Sequence, residues 1–134
     1  MSANLDLVRS IFAAWARGDF RSAQWANPEI EFASADGPDP GRWSGVASMA
    51  EVNRDFLSVW HDWRLEAEEF RELDNERVLV FTRRGGRGKR SGLEVWEPAA
   101  NLFHLRGGRV TKLVFYWERK RALADLGLAP DTGS

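Results

Sequence analysis

The sequence predicts an α+β fold: a cone in which about three N-terminal helices pack on a strongly curved, mostly antiparallel sheet closed by a short C-terminal helix. Three observations carry that expectation. Leu5, Val8, Ile11, Phe12 and Trp15 recur at helical spacing before Gly18-Asp19. From Trp63 onward the apolar period falls to two. In the last third, the run Asn101 to Leu105, a Gly107-Gly108 turn and the strand Val110 to Trp117 lead into Glu118-Arg119, Ala122-Leu123 and Gly127-Leu128. That order reads as a sheet that folds back and is covered by a helix.

Taken in order, the first helix runs from an Asn4 cap to Arg17, and Gly18-Asp19 stops it. Phe20 to Ala26 is expected as a second, short helix. Pro28 to Ser34 alternates as a strand, with Ile30, Phe32 and Ser34 on one face and Glu29, Glu31 and Ala33 on the other. Asp36 to Gly41 has the highest local density of turn formers, which suits the mouth or lid of a pocket. A third helix carries Met49, Val52, Phe56, Leu57 and Trp60. Trp63 to Glu68 and Val78 to Arg84 form a hairpin about Asp74-Asn75, a register that sets Glu66 against Arg83 and Glu68 against Phe81. Gly85 to Arg90 makes the next turn, Leu93 to Glu97 returns, and Pro98 breaks or edges that strand.

With 134 residues, 43% of them hydrophobic, the chain suits a single domain over 1–134 that buries roughly 70% of its unfolded surface, with residues 129–134 as a disordered tail. The net charge of -1 gives no reason to expect a polyanionic partner. Cysteine is absent, which excludes disulfides and thiolate chemistry. No basic leader precedes an apolar stretch and no run approaches the ~18 apolar residues of a membrane span, so a cytoplasmic protein without membrane contact is expected. Arg83, Arg84, Arg87, Lys89 and Arg90 crowd one hairpin tip, but no aromatic residues interleave them and acidic residues neighbour them, so a salt-bridged turn rather than nucleic-acid binding is expected. His61 and His104 lie far apart outside any ligand-spaced cluster, so neither a metal nor another cofactor is expected.

The strand phase has a consequence for assembly. With Trp63, Leu65, Val80 and Val95 under the helices, the opposite face carries Phe81, Trp96, Phe103, Leu105, Val114 and Tyr116. So much uncovered apolar area predicts a homodimer packed sheet against sheet.

The order of elements resembles the SnoaL-like branch of the nuclear-transport-factor-two-like superfamily, distantly similar to ketosteroid isomerase. The matching pieces are Ala14 to Asp19, Asn27 to Phe32, Gly41-Arg42-Trp43-Ser44-Gly45, Ser91 to Val95, Gly107 to Val110, and the tail from Tyr116 to Leu128. The resemblance implies a curved sheet wrapped round a long helix, enclosing a mostly apolar cavity, often in a dimer. Its members include isomerases, polyketide cyclases, epoxide hydrolases and catalytically silent binding proteins, so it does not choose a reaction. In isomerase members a carboxylate base, a Tyr and a protonated Asp handle the proton and the enolate. Matching those motifs onto this chain puts Ser34, Ile11 and Ala100 at the three positions, none of which can do that chemistry. Trp117 matches an aromatic pocket position.

The resulting expectation is a binding protein for a small apolar or aromatic ligand, lined by Ile11, Trp15, Phe32, Ser34, Phe56, Trp60, Trp63, Ala100, Leu102 and Trp117. The alternative is a lyase, isomerase or hydrolase of the epoxide-hydrolase type. There His104, expected on the inward face, would work with Asp36, Glu94 or Glu97 in proton transfer. The family pattern favours Glu94 and the strand phase favours Glu97. Each candidate also has a plain reading: His104 as a hydrogen-bonded core histidine, Asp36 as a turn former, either Glu as the partner of Arg83 or Arg84, and the tryptophans as core.

Overall fold

The computed structural model describes residues 2–37 and 40–128, so the expected tail at 129–134 lies outside the described residues. Helix α1 (Ala3–Ala16) buries Val8, Ile11, Phe12 and Trp15, the stripe its spacing foretold. Its cap is Ser2 rather than Asn4: the Ser2 hydroxyl accepts the Leu5 N–H at 3.0 Å, while the Asn4 amide donates to the Asn75 carbonyl at 2.7 Å. The segment Phe20 to Ala26 is turns rather than helix. The Asp19 carboxylate accepts the Arg21 and Ser22 N–H groups at 3.2 and 3.1 Å, offering the backbone a local alternative to a helical ladder. Phe20 and Trp25 both pack on Trp15 from there.

Strand β1 (Ala26–Ser34) pairs antiparallel with β2 (Gly41–Ser44), a short strand hidden in sequence behind the turn formers before it. Helix α2 (Val46–Leu57) follows, buries Met49, and ends before Trp60, which opens a strand instead. Then come β3 (Trp60–Asp74), β4 (Arg77–Gly88), β5 (Glu94–Arg106), β6 (Arg109–Tyr116) and α3 (Arg119–Leu126). The six strands form one sheet in the order β2-β1-β6-β5-β4-β3, with β1–β6 the parallel pair. Gly107 and Gly108 take φ of +62° and +77°, the left-handed pair that a two-residue hairpin requires. The three helices and this curved sheet make the expected α+β cone, with α3 as the closing helix.

Register is set in detail by bulges. Glu66 does face Arg83, but an irregularity after Ala67 moves Phe81 opposite Glu69 instead of Glu68. Arg83 reaches Glu68 at 4.0 Å. The loop itself is Asn75-Glu76, closed by the Asp74–Arg77 pair.

The two faces of the sheet differ from the expected assignment. Beneath α1 lie Ile30, Leu65, Val78, Val80, Phe103, Leu105, Val110 and Leu113. On the outer face Leu79, Phe81, Ala100, Leu102, Val114 and Tyr116 pack with Ala122 and Leu123 of α3. The sequence expectation puts Phe103 and Leu105 on the opposite face, beyond a Pro98 that breaks or edges the strand. Instead β5 runs through Pro98, paired with Arg83, so Val95, Phe103 and Leu105 share one parity. The area from which the homodimer was inferred is therefore covered within one chain: of its six residues only Trp96 is exposed, at 40%. We expect Phe103→Ala to lose about 3–5 kcal/mol in urea unfolding, as a large core truncation does.

Candidate functional site

Antiparallel pairing aligns the inner face of β3, β4 and β5 in three rows. Phe70, Val80 and Asn101 stand abreast and continue to Phe115 on β6; next come Ala67, Thr82 and Ala99; then Leu65, Arg84 and Glu97. The first row holds apolar bulk around one amide, the second is small, and the third carries charge. Thr82, Arg84 and Asn101 are the buried polar side chains of this sheet, at 0, 5 and 1% exposure.

An aromatic cluster stands at the end of the cone beside Arg84. Phe56 of α2 meets Trp63 edge-on with ring centroids 4.7 Å apart, and Trp60 and Trp117 at 6.2 Å. Trp60 and Trp63 are 5.0 Å apart, and Phe115 packs on Trp117 at 5.7 Å. These rings are partly exposed, unlike the aromatic core under α1. Arg84 lies over the Trp117 ring, its Cζ 3.8 Å from the centroid, and its Nη2 donates to Glu97 Oε2 at 3.2 Å. Burial pushes this guanidinium down from its ordinary value, while Glu97, Glu118 and Asp36 hold it up. It stays charged, since an arginine begins so far above neutrality.

Asp36 has a positional task. Its carboxylate accepts the backbone N–H of Trp117 at 2.7 Å and of Glu118 at 3.2 Å, which fixes the turn from β6 into α3. Ser34 donates its hydroxyl to the Asp36 carbonyl at 3.1 Å. Gly37, at φ +89°, lies beneath the Trp117 indole, where a Cβ would come within 2.2 Å of the ring. The loop and the indole are thus one unit.

Of the residues singled out in sequence, Ile11, Trp15 and Phe32 join the helix-covered core, and Phe56, Trp60, Trp63 and Trp117 come together in one partly exposed cluster. Ala100 and Leu102 do not: they face α3 on the outer side. His104 has the same parity and is likewise outside, half-buried opposite Arg77 and Lys112. It lines an open hollow of about 380 Å³ with Asp74, Glu76, Arg77, Arg106 and Thr111. A second outer hollow, of about 330 Å³, includes Ser34, Arg42, Lys112, Tyr116 and Asp125. Glu94 is ion-paired with Arg87 at the exposed hairpin tip, which lowers its carboxyl pKa. Glu97 alone of the two faces inward, with a side chain 60% exposed as it reaches Arg84. His104, Asp36 and Glu94 therefore occupy three separate places, and no proton-transfer pair is assembled from them.

The sequence alone does not mark Thr82 or Asn101, and it offers Arg84 as the partner of a strand carboxylate and as one of the cations of a salt-bridged hairpin tip. The signal was present: Asn101 has the parity of Phe103 and Leu105, and Thr82 and Arg84 continue that of Val78 and Val80.

Solved structures share this architecture. An NTF2-like protein of unknown function from Burkholderia pseudomallei superposes with a TM-score of 0.77 at 20% identity, covering 92% of this chain and 97% of its own. A candidate polyketide cyclase from Xanthomonas campestris pathovar campestris gives 0.71 at 18% identity, over 91% and 95%. A Catenulispora acidiphila protein with a ketosteroid isomerase-like fold, in complex with trimethylamine, gives 0.71 at 16% identity, over 92% and 93%. Likeness at these identities establishes the fold alone, a ketosteroid isomerase-like cone. The family follows from sequence: the SnoaL-like domain model matches residues 8–113, and the chain belongs to that family. No curated protein matches it significantly. Among the described residues no helix is long and apolar enough to cross a membrane.

Two measurements check this geometry. Replacing Asp36 by Ala removes two bonds to a charged acceptor and should lower stability by about 1.5–3 kcal/mol, with a change in Trp117 fluorescence. His104 behaves oppositely to a paired histidine. Burial, then Lys112 and Arg77, lower its pKa from the usual 6.5, so the folded chain takes up that proton less readily than the unfolded chain. Its contribution to stability is intact above the ordinary value and is lost as pH falls from there through the lowered folded value. Stability should fall as the pH drops below the ordinary histidine value, and His104→Gln should remove that part of the fall.

Proposed function

We propose that this protein binds a small, largely apolar organic molecule at the aromatic end of the cone, as a binding protein without turnover. The observation that carries the proposal is the cluster of Phe56, Trp60, Trp63 and Trp117, whose rings meet one another yet stay partly exposed. Aromatic side chains turned toward one opening supply large contact area with few polar atoms, which suits a flat or greasy ligand.

The absence of turnover rests on placement. Motif matching sets Ile11 and Ser34, neither able to carry a proton in this role, against two of the isomerase proton carriers; Ala100, matched to the third, faces outward and is not available to the interior. Asp36 is held by two backbone N–H groups, and His104 lies across the sheet from the cluster. The cyclase-like and isomerase-like relatives support a small organic ligand as the class of partner, and trimethylamine in one of them is a small molecule held by the same fold.

A thermal-shift screen over steroids, aromatic polyketides, terpenes and fatty acids tests this. A ligand at roughly 100 times its Kd adds ~2.7 kcal/mol and raises Tm by several degrees, and Trp63→Ala should abolish the shift while leaving the chain folded. A set in which no compound moves Tm, or a shift that Trp63→Ala leaves intact, would refute the assignment.

A further inference from the structure

Three polar atoms on the inner face have no hydrogen-bond partner among the described residues: Thr82 Oγ1, Asn101 Oδ1 and Arg84 Nε. All three side chains are more than nine-tenths buried. They are neighbours by pairing: Thr82 and Asn101 are diagonal across β4 and β5, and Arg84 is two residues beyond Thr82 on the same face. Thr82 is flanked across the sheet by the short side chains of Ala67 and Ala99, where Phe70 and Phe115 stand one row away.

The charges around Arg84 are uneven. Arg84 is one cation among the carboxylates of Glu97, Glu118 and Asp36, all of which act on it. A carboxylate brought into that company would meet more negative charge than positive. A neutral oxygen meets no such barrier, and Arg84 Nε and the Thr82 hydroxyl can donate to it. An O–H has an acceptor in Asn101 Oδ1; with the amide turned the other way its N–H₂ donates to a carbonyl, and either arrangement serves one oxygenated head.

We propose that Thr82 and Asn101 form the polar floor of the ligand site, and that they select an aromatic molecule bearing a neutral hydroxyl or carbonyl over the same skeleton carrying a methyl or a carboxylate. This deepens the binding function proposed above and rests on it. Arg84, stacked on Trp117, links that floor to the aromatic wall.

Equilibrium dialysis of the full chain near neutral pH against methylnaphthalene, naphthol and naphthoate, substituted at one ring position, separates the two ideas. Naphthol should bind roughly tenfold tighter than methylnaphthalene, the ratio that one buried hydrogen bond of about 1.4 kcal/mol produces, and naphthoate more weakly than naphthol. Asn101→Leu and Thr82→Val should each bring naphthol down to the methylnaphthalene level and leave methylnaphthalene unchanged. Thr82→Val is isosteric and decides the matter if Asn101→Leu does not fold. Equal binding of naphthol and methylnaphthalene, tightest binding of naphthoate, or a preference that survives in the variants would overturn the polar floor while the aromatic site stands. If none of the three binds, the aromatic site itself falls, and the floor with it.

Discussion

The parity of β5 is the constraint on which the rest depends. This strand pairs with β4 from Glu94 to His104 and, from Ala100 on, with β6 as well, so no residue from Ala100 to His104 can turn over without breaking ladder bonds on both sides. Once Phe103 points under α1, Asn101 must point the same way, and Ala100, Leu102 and His104 must point at α3 or at solvent. The interior is therefore apolar at its narrow end, where Phe103 meets Phe12 and Trp15, and polar two residues further along. The same alternation removes His104 from any chemistry inside the cone.

A second dependence runs from the loop after β1 to the aromatic end. Asp36 holds the backbone of Trp117, Gly37 gives the indole room, and the indole carries Arg84 on its face. A change anywhere in this chain of contacts moves the others. A guanidinium on an indole is weakly hydrated and planar, so it can be buried here at less cost than an ammonium group would be. Glu97, mostly in solvent, reaches in to complete the arrangement instead of being buried with it.

Much of the fold was legible because it is written in local periods. The stripe of α1, the alternation of β1, the Gly107-Gly108 turn and the Gly127 cap each depend on a few neighbouring residues. What stayed hidden depends on pairing between distant segments. Pro98 sits within a continuous β5, and the face taken by Phe103 and Leu105 follows from pairing that local alternation does not show. The bulge after Ala67 is likewise invisible without its partner strand. Trp60 follows α2 at helical spacing and still begins a strand, since periodicity does not mark where a helix stops. At the site, the aromatic residues could be named in advance because their size marks them out. Thr82 and Asn101 are ordinary strand residues until their burial is known.

That burial is an energetic oddity for a small domain. A hydroxyl or amide oxygen withdrawn from water with no partner costs about 1–3 kcal/mol, and Val or Leu would fill nearly the same volumes without that cost. The domain gains nothing in packing from the choice, for the adjoining residues are Ala67 and Ala99 rather than groups shaped to meet a polar atom. The two oxygens are also not scattered: they are diagonal neighbours, on the face shared with the aromatic end, and a third unsatisfied atom, Arg84 Nε, lies on that face as well. A fourth such atom, Arg83 Nε, is on the opposite face, so the grouping is that of the three inner-face atoms about Arg84. It makes sense if their hydrogen bonds are completed by a bound molecule.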